Sequence, residues 1–222
     1  MGIGGVNPIR YRAAIFDLDG TLVHSETAWE TAKRRVLDRI GIDVPQVTYD
    51  AFVGRGLRGF LTEVLGSDLT DARRTSLAND IGAEADILLP LLRQPIPGAA
   101  SSVKRLVGAG VRIAVCSSSP RRHIHAALEQ LGLEDHVGAI VSGADLPRGK
   151  PDPLPYLETL RLLDLDPAEA FAVEDALPGV ISAHAAGLEV IAIGREIGKP
   201  GFADYCSVRV PDYARFGQMI DP

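Results

Sequence analysis

The stretch Arg12-Ala-Ala-Ile-Phe-Asp-Leu-Asp-Gly-Thr21 is an apolar run that ends in two acids one residue apart and then a glycine. Ala13 to Phe16 is apolar on both parities. That pattern suits a strand covered on both faces, as in a parallel sheet flanked by helices. Ligands bind beyond the carboxyl ends of strands in open α/β sheets, which is where Asp17 and Asp19 would stand.

Similar runs recur downstream at Val111–Cys116, Val137–Val141, Ala170–Val173, Leu188–Ile193 and Ser207–Val210. Helix-like segments lie between them. Pro120–Leu131 is expected to open with Ser119 as its N-cap and Pro120 at the first helical position, and to close at Gly132. Asp152–Leu163 and Leu177–Ala186 follow the same plan, the latter closing at Gly187. Strand–helix alternation with short links predicts an α/β fold, a Rossmann-like doubly wound parallel sheet.

One gap breaks the rhythm. From about Ser25 to Gln94 the sequence shows helical periodicity and no convincing strand, with Leu37, Ile40, Val53, Leu57, Phe60, Leu61, Val64 and Leu65 as apolar members. Asp71–Leu92 reads as a long helix interrupted at Gly82. Gln94-Pro-Ile-Pro-Gly98 punctuates the return to the sheet. The expected organisation is an α/β catalytic core over 1–24 and 96–222, with an inserted α-helical cap domain over 25–95. No internal repeat is seen.

The 222 residues are 46% hydrophobic and 23% charged, ordinary for a globular chain and enough to bury a core without staples. Net charge is −6, and the basic residues occur at most as scattered pairs. That gives no footprint for nucleic acid or an anionic membrane. Cys116 and Cys206 read as reduced thiols rather than a disulfide framework. Met1 to Arg12 lacks a secretory signal, Val6 argues against myristoylation, and no run is long enough to span a membrane. The expected location is cytoplasmic.

Polar residues cluster just past the strands. Asp17, Asp19 and Thr21 follow the first, Ser117-Ser-Ser119 the second, Lys150 the third and Glu174-Asp175 the fourth. Each has a plainer reading: an Asp-x-Asp-Gly turn, a serine helix cap, acids complementing a helix dipole. Together, carboxylates, hydroxyls and an ammonium on one sheet edge form an inventory for a metal and a phosphoryl group.

The motifs Phe16-Asp-Leu-Asp-Gly-Thr21, Val115-Cys-Ser117, Gly149-Lys-Pro151 and Val173-Glu-Asp-Ala176 with Pro178-Gly179 resemble those of the haloacid dehalogenase superfamily of phosphotransferases. The similarity runs from Ala13 to about Ile193. The helical insertion resembles the cap of phosphoglycolate phosphatases, sugar-phosphate phosphatases and β-phosphoglucomutase. The resemblance implies a Mg²⁺-dependent phosphatase acting through an aspartyl-phosphate. Asp17 would be the nucleophile and Asp19 the general acid and base, its backbone carbonyl also a metal ligand. Ser117 would contact phosphoryl oxygens, with help from the backbone N–H groups of Leu18 and Ser118, and Thr21 would hold the loop. Lys150 would place a point charge between phosphoryl oxygens and Asp17. Asp17, Asp19, Asp175 and Glu174 form an all-oxygen set that suits Mg²⁺. In the cap, Arg55 or Arg58 would contact an anionic substrate.

Departures narrow the reading. Asp19 argues against carbon–halogen hydrolysis, whose enzymes lack this second acid. Lys33, the lysine between Thr21 and Pro95, is not read as the imine-forming cap lysine of phosphonate hydrolysis. Trp29 stands where β-phosphoglucomutase carries a histidine, and His24-Ser-Glu26 where the family often has Asp-Ser-Glu. The sugar phosphomutase reading is weakened accordingly, and His24 and Trp29 are either substrate-facing or packing residues. Gly54-Arg-Gly-Leu-Arg-Gly59 spells a dinucleotide fingerprint but follows no strand. His123-Ile-His125 reads as two surface histidines, and Cys116 as a packing residue. An aspartyl-phosphate signalling or binding module is the alternative of another class; Asp19 and the insertion count against it. The expected partner is a small phosphorylated metabolite, with no nucleic acid and no membrane. Oligomeric state stays open, with a monomer slightly favoured.

Overall fold

The computed structural model describes residues 7–66 and 70–220. The first residues read above for targeting signals, 1–6, lie outside them. In chain order the strands are β1 (Ala13–Phe16), β2 (Val23–His24), β3 (Gln94–Pro95), β4 (Arg112–Ser117), β5 (Val137–Ser142), β6 (Ala170–Glu174), β7 (Glu189–Ile193) and β8 (Val208–Val210). The α-helices are α1 (Glu26–Arg39), α2 (Gln46–Ala51), α3 (Leu57–Leu65), α4 (Asp71–Leu92), α5 (Ala99–Gly108), α6 (Arg121–Leu131), α7 (Leu154–Leu163), α8 (Leu177–Ala185), α9 (Phe202–Tyr205) and α10 (Tyr213–Ile220).

Six strands form one sheet in the order β5-β4-β1-β6-β7-β8. Every pairing in it is parallel. The order reverses between β1 and β6, which puts the ends of those two strands at a topological switch point. Alternate side chains explain the both-parity apolar runs. Phe16, Val115, Val173 and Ile191 join a core on one face, with helix residues such as Val103, Ile124 and Phe216. Ile15, Ala114, Ala172 and Val190 face the other way, against Tyr156, Leu160 and Val180. Both layers exclude water, so the sheet is doubly wound.

A third apolar cluster is drawn wholly from α1 to α4 and their links, including Ala32, Leu37, Tyr49, Phe60, Ile81 and Leu88. It joins the sheet through the short antiparallel pair β2 and β3, where Val23 lies opposite Pro95 and His24 opposite Gln94. Arg93 clamps this exit: its guanidinium donates to Gln130 Oε1 at 2.7 Å and to the Ala126 carbonyl at 2.7 Å on α6.

Several local expectations are corrected. The helix after the serine run begins at Arg121 with Pro120 at the cap position, so Ser119 is not its N-cap. The Ser119 hydroxyl is committed instead to Asp19 Oδ2, at 2.6 Å. α4 is continuous through Gly82, because one glycine costs only ~1 kcal/mol in a helix whose packing holds both sides. A Cβ there would come within 2.8 Å of Arg122 Nη2, the far end of a flexible side chain. Ile40 lies at the end of α1, 39% exposed, rather than in the apolar interior. As expected, no strand precedes Gly54–Gly59, as a dinucleotide fingerprint would need: Gly54 and Arg55 lie in a turn, and Leu57 to Gly59 open α3. Among the described residues no helix is long and apolar enough to cross a membrane.

Candidate active site

β1 ends by delivering Asp17, whose amide donates to the Val173 carbonyl at 3.0 Å and so continues the parallel ladder one residue past the strand. The chain then curls tightly, with the N–H groups of Leu22 and Val23 donating to the Leu18 carbonyl at 2.8 and 3.1 Å. Gly20 takes φ +90°, and a Cβ there would lie 2.0 Å from Asp175 Oδ2. Only glycine admits both the backbone conformation and the neighbouring carboxylate.

Lys150 is the hub beneath the strand ends. Its ammonium donates to Asp17 Oδ1 at 2.6 Å, Glu174 Oε1 at 2.6 Å and the Cys116 carbonyl at 2.8 Å. The Tyr156 hydroxyl donates to the same Glu174 oxygen. Glu174 is packed against the start of α8, where a Cβ on Gly179 would meet its carboxylate at 2.1 Å. Thr21 Oγ1 donates to Asp175 Oδ1 at 3.3 Å, and Tyr213 pins the Thr21 carbonyl at 3.0 Å. Thr21 therefore holds the loop.

Asp17, Glu174 and Asp175 are buried, and each brings a carboxylate oxygen within 4.8 Å of the others. Burial pushes the Asp17 carboxyl well above its usual range, against the pull of Lys150 and with Glu174 and Asp19 adding to the rise. Asp175 is raised the same way, by burial and then by Asp17 and Glu174. For Lys150, burial alone would lower the pKa, but Asp17 and Glu174 hold it raised. One ammonium faces three crowded carboxylates, an all-oxygen donor set with charge to spare for a hard divalent cation.

Asp19 stands above this floor and is held by four donors. Oδ1 accepts from Ser25 Oγ and from Trp29 Nε1, the latter at 3.3 Å. Oδ2 accepts from Ser119 Oγ at 2.6 Å and Ser117 Oγ at 3.1 Å. Two donors come from the β4 end and two from the start of the inserted helices, so one carboxylate joins both halves of the molecule.

A cavity opens over these groups. Asp17, Asp19, Ser118 and Ser119 form its floor, and Trp29, Glu30, Lys33, Tyr49, Phe52 and Arg55 its upper wall. Leu18, Thr21, Ser117, Lys150, Glu174 and Asp175 are buried below or beside it. Ser118 Oγ donates to the Gly54 carbonyl at 3.2 Å, bringing the loop before α3 over the floor. Arg58 is exposed and absent from the cavity wall, so of the two arginines only Arg55 is brought to the site. His24 is exposed as well.

Sequence reasoning passed over several of these residues. Ser25 and Tyr156 look like ordinary capping or core residues, and Ser119, though counted among the serines past the strand, reads as a cap; only the tertiary fold brings them to Asp19 and Glu174. His123 is a correction: it is 6% exposed, not on the surface, and its Nε2 lies 2.6 Å from Asp86 Oδ1 on α4. The buried ring sits edge-on to Trp29 at 5.1 Å. His125 is exposed as expected. Burial pushes the Cys116 thiol up to about 12, consistent with a packing role.

A family model described as haloacid dehalogenase-like hydrolase matches residues 11–187. The chain belongs to the haloacid dehalogenase-like hydrolases. It is an enzyme of the phosphatase type. Phosphoglycolate phosphatase of Rhodospirillum rubrum is 33% identical over 220 residues, covering 94% of this chain and 90% of the relative. Hexitol phosphatase B of Escherichia coli is 30% identical over 199 residues, covering 84% and 85%. Among solved structures, β-phosphoglucomutase from Clostridium difficile matches with TM-score 0.82 at 18% identity, over 95% of this chain and 97% of that one. CbbY from Rhodobacter sphaeroides, solved with xylulose-(1,5)bisphosphate, matches with TM-score 0.83 at 24% identity, over 96% and 100%. These two structures speak for the fold of this haloacid dehalogenase-like hydrolase.

Proposed function

We propose that this hydrolase is a Mg²⁺-dependent phosphatase that cleaves a small organic phosphate monoester through an aspartyl-phosphate on Asp17. The observation that carries the reading is the convergence of Asp17, Asp19, Lys150, Glu174 and Asp175 under one cavity at the carboxyl edge of the sheet. In this reading 1–24 and 96–222 are the catalytic core and 25–95 the cap.

Asp17, Glu174, Asp175 and the Asp19 backbone carbonyl would hold Mg²⁺. Bound there, the ion neutralises charge on the phosphoryl oxygens, so that an anionic nucleophile can approach an anionic ester. An Asp17 carboxylate oxygen forms the new bond to phosphorus as the ester oxygen leaves. Asp19 gives that oxygen its proton, then takes a proton from the water that breaks the phosphoaspartate. Lys150 fixes the Asp17 rotamer and offsets charge. Ser117, with the amides of Leu18 and Ser118, binds phosphoryl oxygens. The Ser25, Trp29 and Ser119 donors keep Asp19 aimed at the ester oxygen. The closed helices exclude water during the first step. The substrate is a small phosphorylated metabolite of the cytoplasm, handled without nucleic acid or membrane partners.

The test is phosphate release from a panel of sugar phosphates, phosphoglycolate, nucleotides and an aryl phosphate, with Mg²⁺ and with chelator, and with Asp17→Asn alongside. Release that needs both Mg²⁺ and Asp17 is the expected result. Release that survives Asp17→Asn overturns the proposal.

A further inference from the structure

Lys33 stands in the wall of the catalytic cavity with no salt-bridge partner among the described residues. Glu26, Trp29, Glu30 and Lys33 occupy one face of α1 at helical spacing, and all line the cavity. Trp29 reaches Asp19 at 3.3 Å. Lys33 lies four residues further along, about 6 Å up the axis, away from the floor. Its ammonium stands 4.7 Å from the centre of the Phe60 ring.

Glu30, Asp19 and Asp17 are already engaged, and Glu26 on the same face lies 4.0 Å from His24 Nδ1. Glu30 accepts from Arg34 Nε at 2.9 Å on one oxygen and from Gln46 Nε2 at 3.2 Å on the other. Asp19 is filled by its four donors. Asp17 is paired with Lys150. Among the described residues Lys33 has neither a salt bridge nor a hydrogen bond through its ammonium. Burial depresses its pKa to about 8, with Glu30 and Asp19 only partly opposing, as expected of an ammonium that lacks compensation.

Arg55 also lines the cavity, but it is exposed and stacks over Phe52 at 5.2 Å. Lys33 is thus the half-buried charge left for a ligand to meet. We infer that Lys33 selects phosphomonoesters whose leaving group carries a second anionic group, a carboxylate or a phosphate, a few bonds from the ester oxygen. This deepens the phosphatase reading and rests on it. It also separates two kinds of substrate, since a neutral polyol offers this ammonium no charge.

The experiment measures kcat/KM with Mg²⁺ for phosphoglycolate, a pentose bisphosphate and two esters with neutral leaving groups, glycerol phosphate and a hexitol phosphate. Wild type, Lys33→Met and Lys33→Arg are compared. The ratio of anionic to neutral substrate is expected to fall about 10- to 100-fold in Lys33→Met, as for loss of a charge-assisted contact, and to be largely kept in Lys33→Arg. Whichever of phosphoglycolate and the bisphosphate shows the larger fall identifies the anion. In wild type the ratio should also fall as pH rises through about 8, when Lys33 loses its proton. A purely structural role under the inserted helices would lower all substrates together. An unchanged ratio in Lys33→Met, with release still dependent on Asp17, overturns the inference and leaves the phosphatase reading intact. No Asp17-dependent release from any ester overturns both.

Discussion

Replacing Lys150 by methionine tests the architecture of the site floor. The ammonium lies 2.6 Å from Asp17 and 2.6 Å from Glu174, and its side chain is 2% exposed. Methionine keeps much of the volume and removes the charge. Asp17 and Glu174 are then left buried without their common partner, with side chains 9% and 1% exposed. Breaking a buried pair in this way costs about 3–5 kcal/mol, a large part of the ~5–15 kcal/mol that holds a domain together. Denaturant unfolding of wild type and variant in chelator should show that loss as a lower midpoint at unchanged slope. Adding Glu174→Gln to the variant should recover part of it, because the second change removes one of the stranded charges. Saturating Mg²⁺ should stabilise the variant too, by binding the folded carboxylates and not the unfolded ones. A Lys150→Met protein within about 1 kcal/mol of wild type in chelator would refute the claim that one ammonium neutralises this floor.

Three further outcomes follow from the same geometry. Gly20→Ala places a Cβ 2.0 Å from Asp175 Oδ2 at φ +90°, so Mg²⁺ affinity by calorimetry should fall about 10- to 100-fold as Asp175 is displaced. Trp29→Phe removes one of the four donors on Asp19 and should lower kcat by about 10-fold, with unfolding changed by less than about 1 kcal/mol. Burial lowers the pKa of His123, only partly offset by Asp86, while Arg122 and Asp19 also face it. The folded state thus binds this proton more weakly than the unfolded chain. The His123 contribution should be present above about pH 6.5 and be lost as pH falls further, and His123→Gln should flatten the thermal midpoint over that window.

Much of the fold is visible in the sequence because the sheet is buried on both faces. Ala13–Phe16, Ile113–Cys116 and Ala170–Val173 are apolar on both parities, and the structure sends alternate members to different cores. The short pair β2 and β3 carries no such pattern, since two residues show no period. The catalytic inventory is legible for a related reason. Asp17, Ser117 and Glu174 each sit at or just beyond a strand end, a place that strand assignment fixes, whereas Lys150 lies further along the loop after β5 and is read from the Gly149-Lys-Pro151 motif.

What the sequence hides is the choice between local and distant partners. Ser119 before a helix fits the capping pattern, yet Asp19 wins its hydroxyl. His123 and His125 diverge on α6, which removes them as a pair. Burial of His123 follows from α4 packing across it, which no local pattern reports. Lys33 differs again. Weighed only as a source of imine chemistry, it is set aside, whereas its place in the cavity wall depends on α1 standing over Asp19.

The most direct test of the account is to trap the covalent state. A turnover reaction with Mg²⁺ and the best substrate is quenched in acid, and the protein is digested and analysed by mass spectrometry. The account predicts a phosphoryl group on the peptide carrying Asp17, lost on brief exposure to base or hydroxylamine and absent in Asp17→Asn. Steady release of phosphate with no phosphoryl group on Asp17 at any quench time, together with turnover by Asp17→Asn, would contradict it.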